Sequence, residues 1–187
     1  MPKTGLQEFR ALLSDFKSLT SLTIGGAIAA PLVDLALKVG PPWPQGVPFI
    51  SSISELLALI YIFHFWFSKS RKKLKTRMVV FLILCCLSLL MYLVLYSSYT
   101  FVSPATSNRY VKGFVLRPEV QELITNEFTE DDALVGAEYD PKEVWKPWSI
   151  TAMRVAILSF WLMMFVSLSI FIGTFVMVQR SRIIRGS

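Results

Sequence analysis

Ser68–Arg77, SKSRKKLKTR, decides the architecture, because it packs six basic residues between two long apolar runs. Lys and Arg are costly to move through hydrocarbon, so short loops rich in them stay on the cytoplasmic side of a membrane. The stretch therefore predicts an integral membrane protein and sets its orientation. The run before it, Phe49–Phe67, reads FISSISELLALIYIFHFWF, and the run after it, Val79–Tyr99, is almost uniformly apolar. Each is long enough to cross a core of about 30 Å at about 1.5 Å per residue.

Two further spans follow outward from that pair. Leu19–Leu37 is interrupted by Gly25-Gly26, Pro31 and Asp34, and Ile150–Val178 is long enough to tilt or project. With 68–77 inside, the last span ends at a cytoplasmic tail, residues 179–187, that carries Arg180, Arg182 and Arg185. Lys3, Arg10 and Lys17 place the amino terminus on the same side. The expected fold is an all-α integral membrane protein with four transmembrane helices, N-in and C-in: spans 1–3 over residues 19–99 and span 4 over 150–178. Multi-pass insertion in a plasma membrane, most simply a bacterial inner membrane, follows from that layout.

Composition agrees, since 53% of the 187 residues are hydrophobic and the 17% that are charged are clustered. One charge at a bilayer centre costs about 2.5–3.5 kcal/mol, which explains the clustering. The net charge of +6 comes largely from the basic stretch and the tail. Positive-inside placement and contact with anionic lipid account for it, so nucleic acid is not an expected partner. Residues 1–18 mix acids with bases and lack the apolar core of a signal peptide. Leu6, Phe9, Leu12, Leu13 and Phe16 recur at helical spacing, which predicts an amphipathic cytoplasmic helix lying in the interface.

Two loops fall outside. Lys38–Pro48 has four prolines and two glycines, a stiff turn with Trp43 at headgroup level. Residues 100–149 carry nine of the thirteen acids against five bases, which predicts a small, partly helical extracytoplasmic cap. Pro118 with Glu119, Thr129 before Glu130-Asp131-Asp132, and Asp140-Pro141 are three helix starts, and Gly136 is a stop. Leu134, Val135 and Tyr139 are expected to pack on a stripe of Val120, Leu123 and Ile124.

Ionisable residues at membrane depth mark the candidate site: Asp34, Glu55 and Arg154, all towards the outer leaflet in this topology. A structural ion pair with Arg154 that locks the spans is the plainer account. A polar gate or ion path lined by Asp34 and Glu55 is the functional one. His64, among Phe63, Phe65 and Trp66, reads as an interfacial belt residue rather than a pH sensor. Gly25, Gly26 and Ala30 in span 1 and Gly173 in span 4 suit close helix packing, within one chain or between copies.

Enzyme chemistry finds little support. No His or Cys pairs stand at metal spacing, no glycine loop cradles phosphate, and neither cofactor nor metal is implied. Asp131-Asp132 reads better as helix-start acids than as a metal site. Cys85 and Cys86, adjacent in an apolar run, read as small hydrophobes.

The loop sizes resemble those of tetraspanins, but the cysteines that define that family's large loop are absent, and claudins reverse the order of sizes. In architecture alone the chain resembles small four-span subunits and effectors of bacterial defence or stress systems. The expected function is accordingly a non-enzymatic, oligomeric, channel-like or membrane-perturbing subunit. The alternative is a membrane anchor or sensor that docks a cytosolic protein through Lys69, Arg71, Lys72, Lys73, Lys75 and Arg77. Expected partners are the lipid bilayer, further copies of the chain and that cytosolic protein.

Overall fold

The computed structural model describes residues 40–66, 70–104, 106–124 and 128–183. The amphipathic segment 1–18, span 1 with Gly25, Gly26, Ala30 and Asp34, Lys69, and the tail from residue 184 lie outside them.

The described chain is mostly helical. Helix α1 is Val47–Phe65; Gly46 precedes it at φ 85°, and Pro48 stands in its first turn. That positive φ is one that glycine adopts at little steric cost, and a first-turn proline gives up no helical hydrogen bond. Helix α2 is Arg71–Tyr99, strands β1 and β2 are Thr100–Val102 and Arg109–Val111, and four helices follow. These are α3 (Pro118–Leu123), α4 (Glu130–Gly136), α5 (Pro141–Val144) and α6 (Pro147–Ile183).

Two of the helices, in α2 and α6, are long and apolar enough to cross a membrane, whereas the apolar part of α1, Val47–Ile62, is shorter. Only 11% of the most apolar window of α2 is buried, against 33% in α6. The core helix of a water-soluble domain would hide most of that surface. Leu82, Ile83, Leu87, Leu90, Leu93 and Val94 are instead exposed, the pattern that suits lipid contact.

The basic stretch differs from its expected form, because α2 begins at Arg71, inside it. Lys and Arg are good helix formers, so the helix carries on through the cationic residues rather than stopping at Val79. Similarly, α6 spans 37 residues and overruns the expected bounds of 150–178 at both ends.

The described residues fall into two compact units. The first holds Gly46–Leu89 and α6 from Trp161 onward. Its core is Ile62, Trp66, Leu74, Met177 and Val178, with Phe81 and Ile170 packed against it. Gly173 lets α1 come close: a Cβ there would stand 3.3 Å from the side-chain tips of Leu59 and Ile62. The Arg77 guanidinium lies 4.2 Å from the centre of the Trp66 ring.

The second unit holds Pro41–Gln45 and Leu90–Phe160. Its hairpin was not expected. β1 and β2 pair antiparallel, with Phe101 opposite Tyr110 and their rings 5.9 Å apart. Strands of three residues are too short to show a period-two pattern, although Thr, Phe, Tyr and Val favour the pleated conformation. Leu134, Val144, Trp145 and Ile150 form the core, flanked by Leu116, Val120 and Tyr139. Val135 and Leu123 are exposed, so only part of the expected stripe is packed.

The helix starts fall where the capping signals put them. Thr129 and Asp132 form a reciprocal capping box on α4, and the Asp140 carboxylate accepts from the Lys142 amide at the start of α5. Hydrogen bonds from Arg117 N to Val144 O (3.0 Å) and from Lys146 N to Val115 O (2.9 Å) tie the strand-like 115–117 segment to the chain entering α6. Gly113 sits beneath that crossing, where a Cβ would stand 2.6 Å from the Trp145 Cβ.

Candidate functional site

Glu55 lies in the first unit, on α1, and is 1% exposed. Ser51, one turn earlier on the same helix face, is fully buried. From α6, the buried Ser169 brings its hydroxyl towards the Glu55 carboxyl group. The other carboxyl oxygen, Oε1, is buried without a hydrogen-bond partner among the described residues. No ion pair to Glu55 stands among them either. A buried carboxyl group with one uncompensated oxygen is costly in an apolar surround.

Among the other polar side chains of the unit, Ser88, Ser167 and Thr174 are buried as well. The Ser88 hydroxyl donates to Leu84 O at 2.7 Å, and that of Thr174 to Ile170 O at 2.7 Å. Ser51 donates to Val47 O and accepts from the Trp161 indole, each at 2.9 Å. Ser169 and Thr174 are visible in the sequence as small polar residues of the last span. Ser51 is the residue the sequence reading passed over, and its signal is the four-residue spacing to Glu55.

Arg154 belongs to the second unit, so it and Glu55 are described in separate surroundings. It is half-buried on α6, and its Nε is buried with no hydrogen-bond partner among the described residues. It lines a cleft of about 400 Å³ together with Trp43, Gln45, Asn108, Arg109 and Tyr110. Arg109, which the sequence reading did not single out, is held in place. Its Nη1 donates to Thr100 Oγ1 at 3.0 Å, and its guanidinium lies 4.8 Å from the centre of the Tyr96 ring.

The basic residues divide. Lys72, Lys73 and Lys75 are exposed, Arg71 is the first residue of α2, and Arg77 is drawn in over Trp66. His64 is exposed, its ring 4.6 Å from that of Phe65 and nearly perpendicular to it. Cys85 and Cys86 are free thiols. Among the described residues no three His, Cys, Asp or Glu side chains gather as a metal site would need. In α4, the Thr129 hydroxyl and backbone N–H both donate to Asp132 and hold its carboxyl below the usual range.

Comparison with known proteins finds no matching family model, no matching curated protein and no matching solved structure.

Proposed function

We propose that the chain is a non-enzymatic, multi-pass membrane protein that assembles with copies of itself and alters membrane permeability through a polar point at Glu55. The topology in this reading is four spans, N-in and C-in, with residues 100–149 outside and the 68–77 stretch in the cytoplasm. The membrane is a plasma membrane, in a bacterium the inner one, and the protein acts as a channel-like effector subunit of a defence or stress system.

The observation that carries the reading is the Glu55 carboxyl group, buried with one oxygen unpartnered on helices whose outer surface is apolar. A carboxyl group is able to carry a proton or hold a cation. Buried serines at Ser51 and Ser169 supply the polar neighbours such a species would need. Flux of protons and monovalent cations through liposomes holding the wild-type protein, compared with Glu55→Gln and Asp34→Asn, tests it. We expect flux in the wild type and a marked fall in E55Q; a wild type that passes no ions, or an E55Q variant that passes as many, overturns the channel reading.

The exposure of Lys72, Lys73 and Lys75 favours a second reading, an anchor that docks an acidic cytosolic protein. Replacing those three by Ser, while keeping Lys69, Arg71 and Arg77, retains basic residues for topology and removes the outward-facing charge. Loss of co-purifying cytosolic partners, with orientation intact, supports docking. An unchanged set of partners removes it.

A further inference from the structure

Most of the charge in the second unit is acidic, yet the cleft between Trp43 and Arg154 is lined by two arginines and by no Asp or Glu. Two other cations of that unit have carboxylate partners: Lys112 meets Asp131 at 3.0 Å and Arg117 meets Glu143 at 3.5 Å. Arg109 and Arg154 have no carboxylate partner among the described residues. A guanidinium offers five N–H donors in a planar fork, and Arg109 commits one nitrogen to Thr100, leaving the rest of its fork available. Arg154 brings a buried Nε that nothing described satisfies. With a half-buried guanidinium left in part unsatisfied, the cleft presents cationic donors to an anion that the described residues do not supply.

Donor count narrows the chemistry. A carboxylate presents two oxygens in one plane, which a single guanidinium fork can engage together, whereas a phosphoryl group presents three or four oxygens to donors on several sides. Here donors come from two guanidinium groups and from the Asn108 and Gln45 amides. At about 400 Å³ the cleft is larger than inorganic phosphate requires and lies within the range of about 300–1,000 Å³ usual for small-molecule sites. The rings of Trp43 and Tyr110 line the remaining space, which suits the carbon part of an ester.

We propose that this cleft binds a phosphate monoester through Arg109 and Arg154. The ester is either the headgroup of a membrane lipid or a soluble phosphorylated solute. The proposal is independent of ion flux, and its test reads binding alone.

Calorimetric titration of the full-length protein in a non-ionic maltoside detergent tests it with three probes. They are glycerol 3-phosphate, dihexanoyl phosphatidic acid below its micelle concentration, and succinate as a dicarboxylate. We expect one phosphate monoester bound per chain and a loss of affinity of about tenfold or more in Arg109→Gln and in Arg154→Gln, as befits removal of a charge-assisted contact. Lys142→Gln, at an exposed lysine outside the cleft, should bind as the wild type does. Binding of the short-chain lipid alone identifies a headgroup, and binding of glycerol 3-phosphate as well identifies a site open to soluble esters. Both outcomes support the proposal. No binding of either ester, equal affinity for succinate, or unchanged affinity in both variants overturns it. Should R154Q misfold, R109Q at an exposed strand position decides the matter with Arg109→Lys, which keeps the charge, loses the fork and should bind at intermediate strength.

Discussion

The Trp161 indole donates to the Ser51 hydroxyl at 2.9 Å, joining α1 to α6 between two buried side chains 110 residues apart. The same hydroxyl donates its proton to the Val47 carbonyl at 2.9 Å, so its oxygen is oriented to accept. In the proposed four-span reading both helices lie in lipid, where apolar burial supplies little drive and packing and hydrogen bonds carry the association. A double-mutant cycle of Ser51→Ala and Trp161→Phe should give a coupling energy of about 0.6–1.7 kcal/mol, the range for hydrogen bonds between membrane helices. Equilibrium unfolding in mixed micelles measures it. Strictly additive single effects would mean that the contact contributes nothing to stability.

Gly173 and Gly113 are both packed closely, yet they should respond differently to a methyl group. At Gly173 the neighbours are the flexible tips of Leu59 and Ile62 at 3.3 Å, which can give by a few tenths of an ångström. Gly173→Ala should therefore fall at or below the low end of the range of about 1–3 kcal/mol for overpacking, and Gly173→Leu within it. At Gly113 the new atom would meet the Trp145 Cβ at 2.6 Å and the Ser149 Oγ closer still. Trp145 is 1% exposed and has no room to retreat. Gly113→Ala should cost about 3 kcal/mol or more and abolish the near-ultraviolet dichroism of the tryptophans in that unit.

The sequence is most legible where one rule acts over many residues. The apolar run of α2 and the basic residues at its start are of that kind, as are the caps at Thr129 and Asp140, whose signals are local. The three-residue strands are illegible for the opposite reason, since their pairing depends on a partner seven to eleven residues away rather than on a repeat. Glu55 stands out in sequence because a carboxylate in an apolar run is rare, but its partner Ser169 is one of several serines in the last span and only the packing of α6 selects it. Arg109 is ordinary in sequence. It becomes notable only when Thr100 and Tyr96 hold it beside Arg154 in a cleft free of acids.

The capping box makes α4 sensitive to acid. Donation from Thr129 to the Asp132 carboxylate lowers its pKa in the folded protein. A depressed carboxyl pKa contributes stability that is fully present above the unfolded value, near about 3.9, and is lost as the pH falls through the folded value below it. Hydrogen exchange of the Glu130–Gly136 amides should be pH-independent in its protection factors from pH 7 to 5 and should weaken below about 4. Thr129→Ala should weaken the helix by about 1 kcal/mol at neutral pH, as loss of an N-cap does. Unaltered protection in T129A would mean that α4 is held by Leu134 in the core and not by its cap.

Ser169 should matter only through Glu55. Its hydroxyl faces the carboxyl group as a donor, and both side chains are buried. Ser169→Ala removes that donor and leaves the carboxyl group with less support, so it should destabilise the protein by about 1–3 kcal/mol, the range for stranding a buried polar group. Glu55→Gln keeps an oxygen that accepts from Ser169 and removes the charge, so its stability should stay within about 1 kcal/mol of the wild type. In the E55Q background the serine faces a neutral amide, and S169A should then cost less than it does alone. Residues that share one hydrogen bond are non-additive in this way, with interaction energies of about 0.5–3 kcal/mol. Thermal unfolding of the four proteins in one detergent measures the difference. Equal costs of S169A in both backgrounds would show that Ser169 packs against the carboxyl group without supporting its charge.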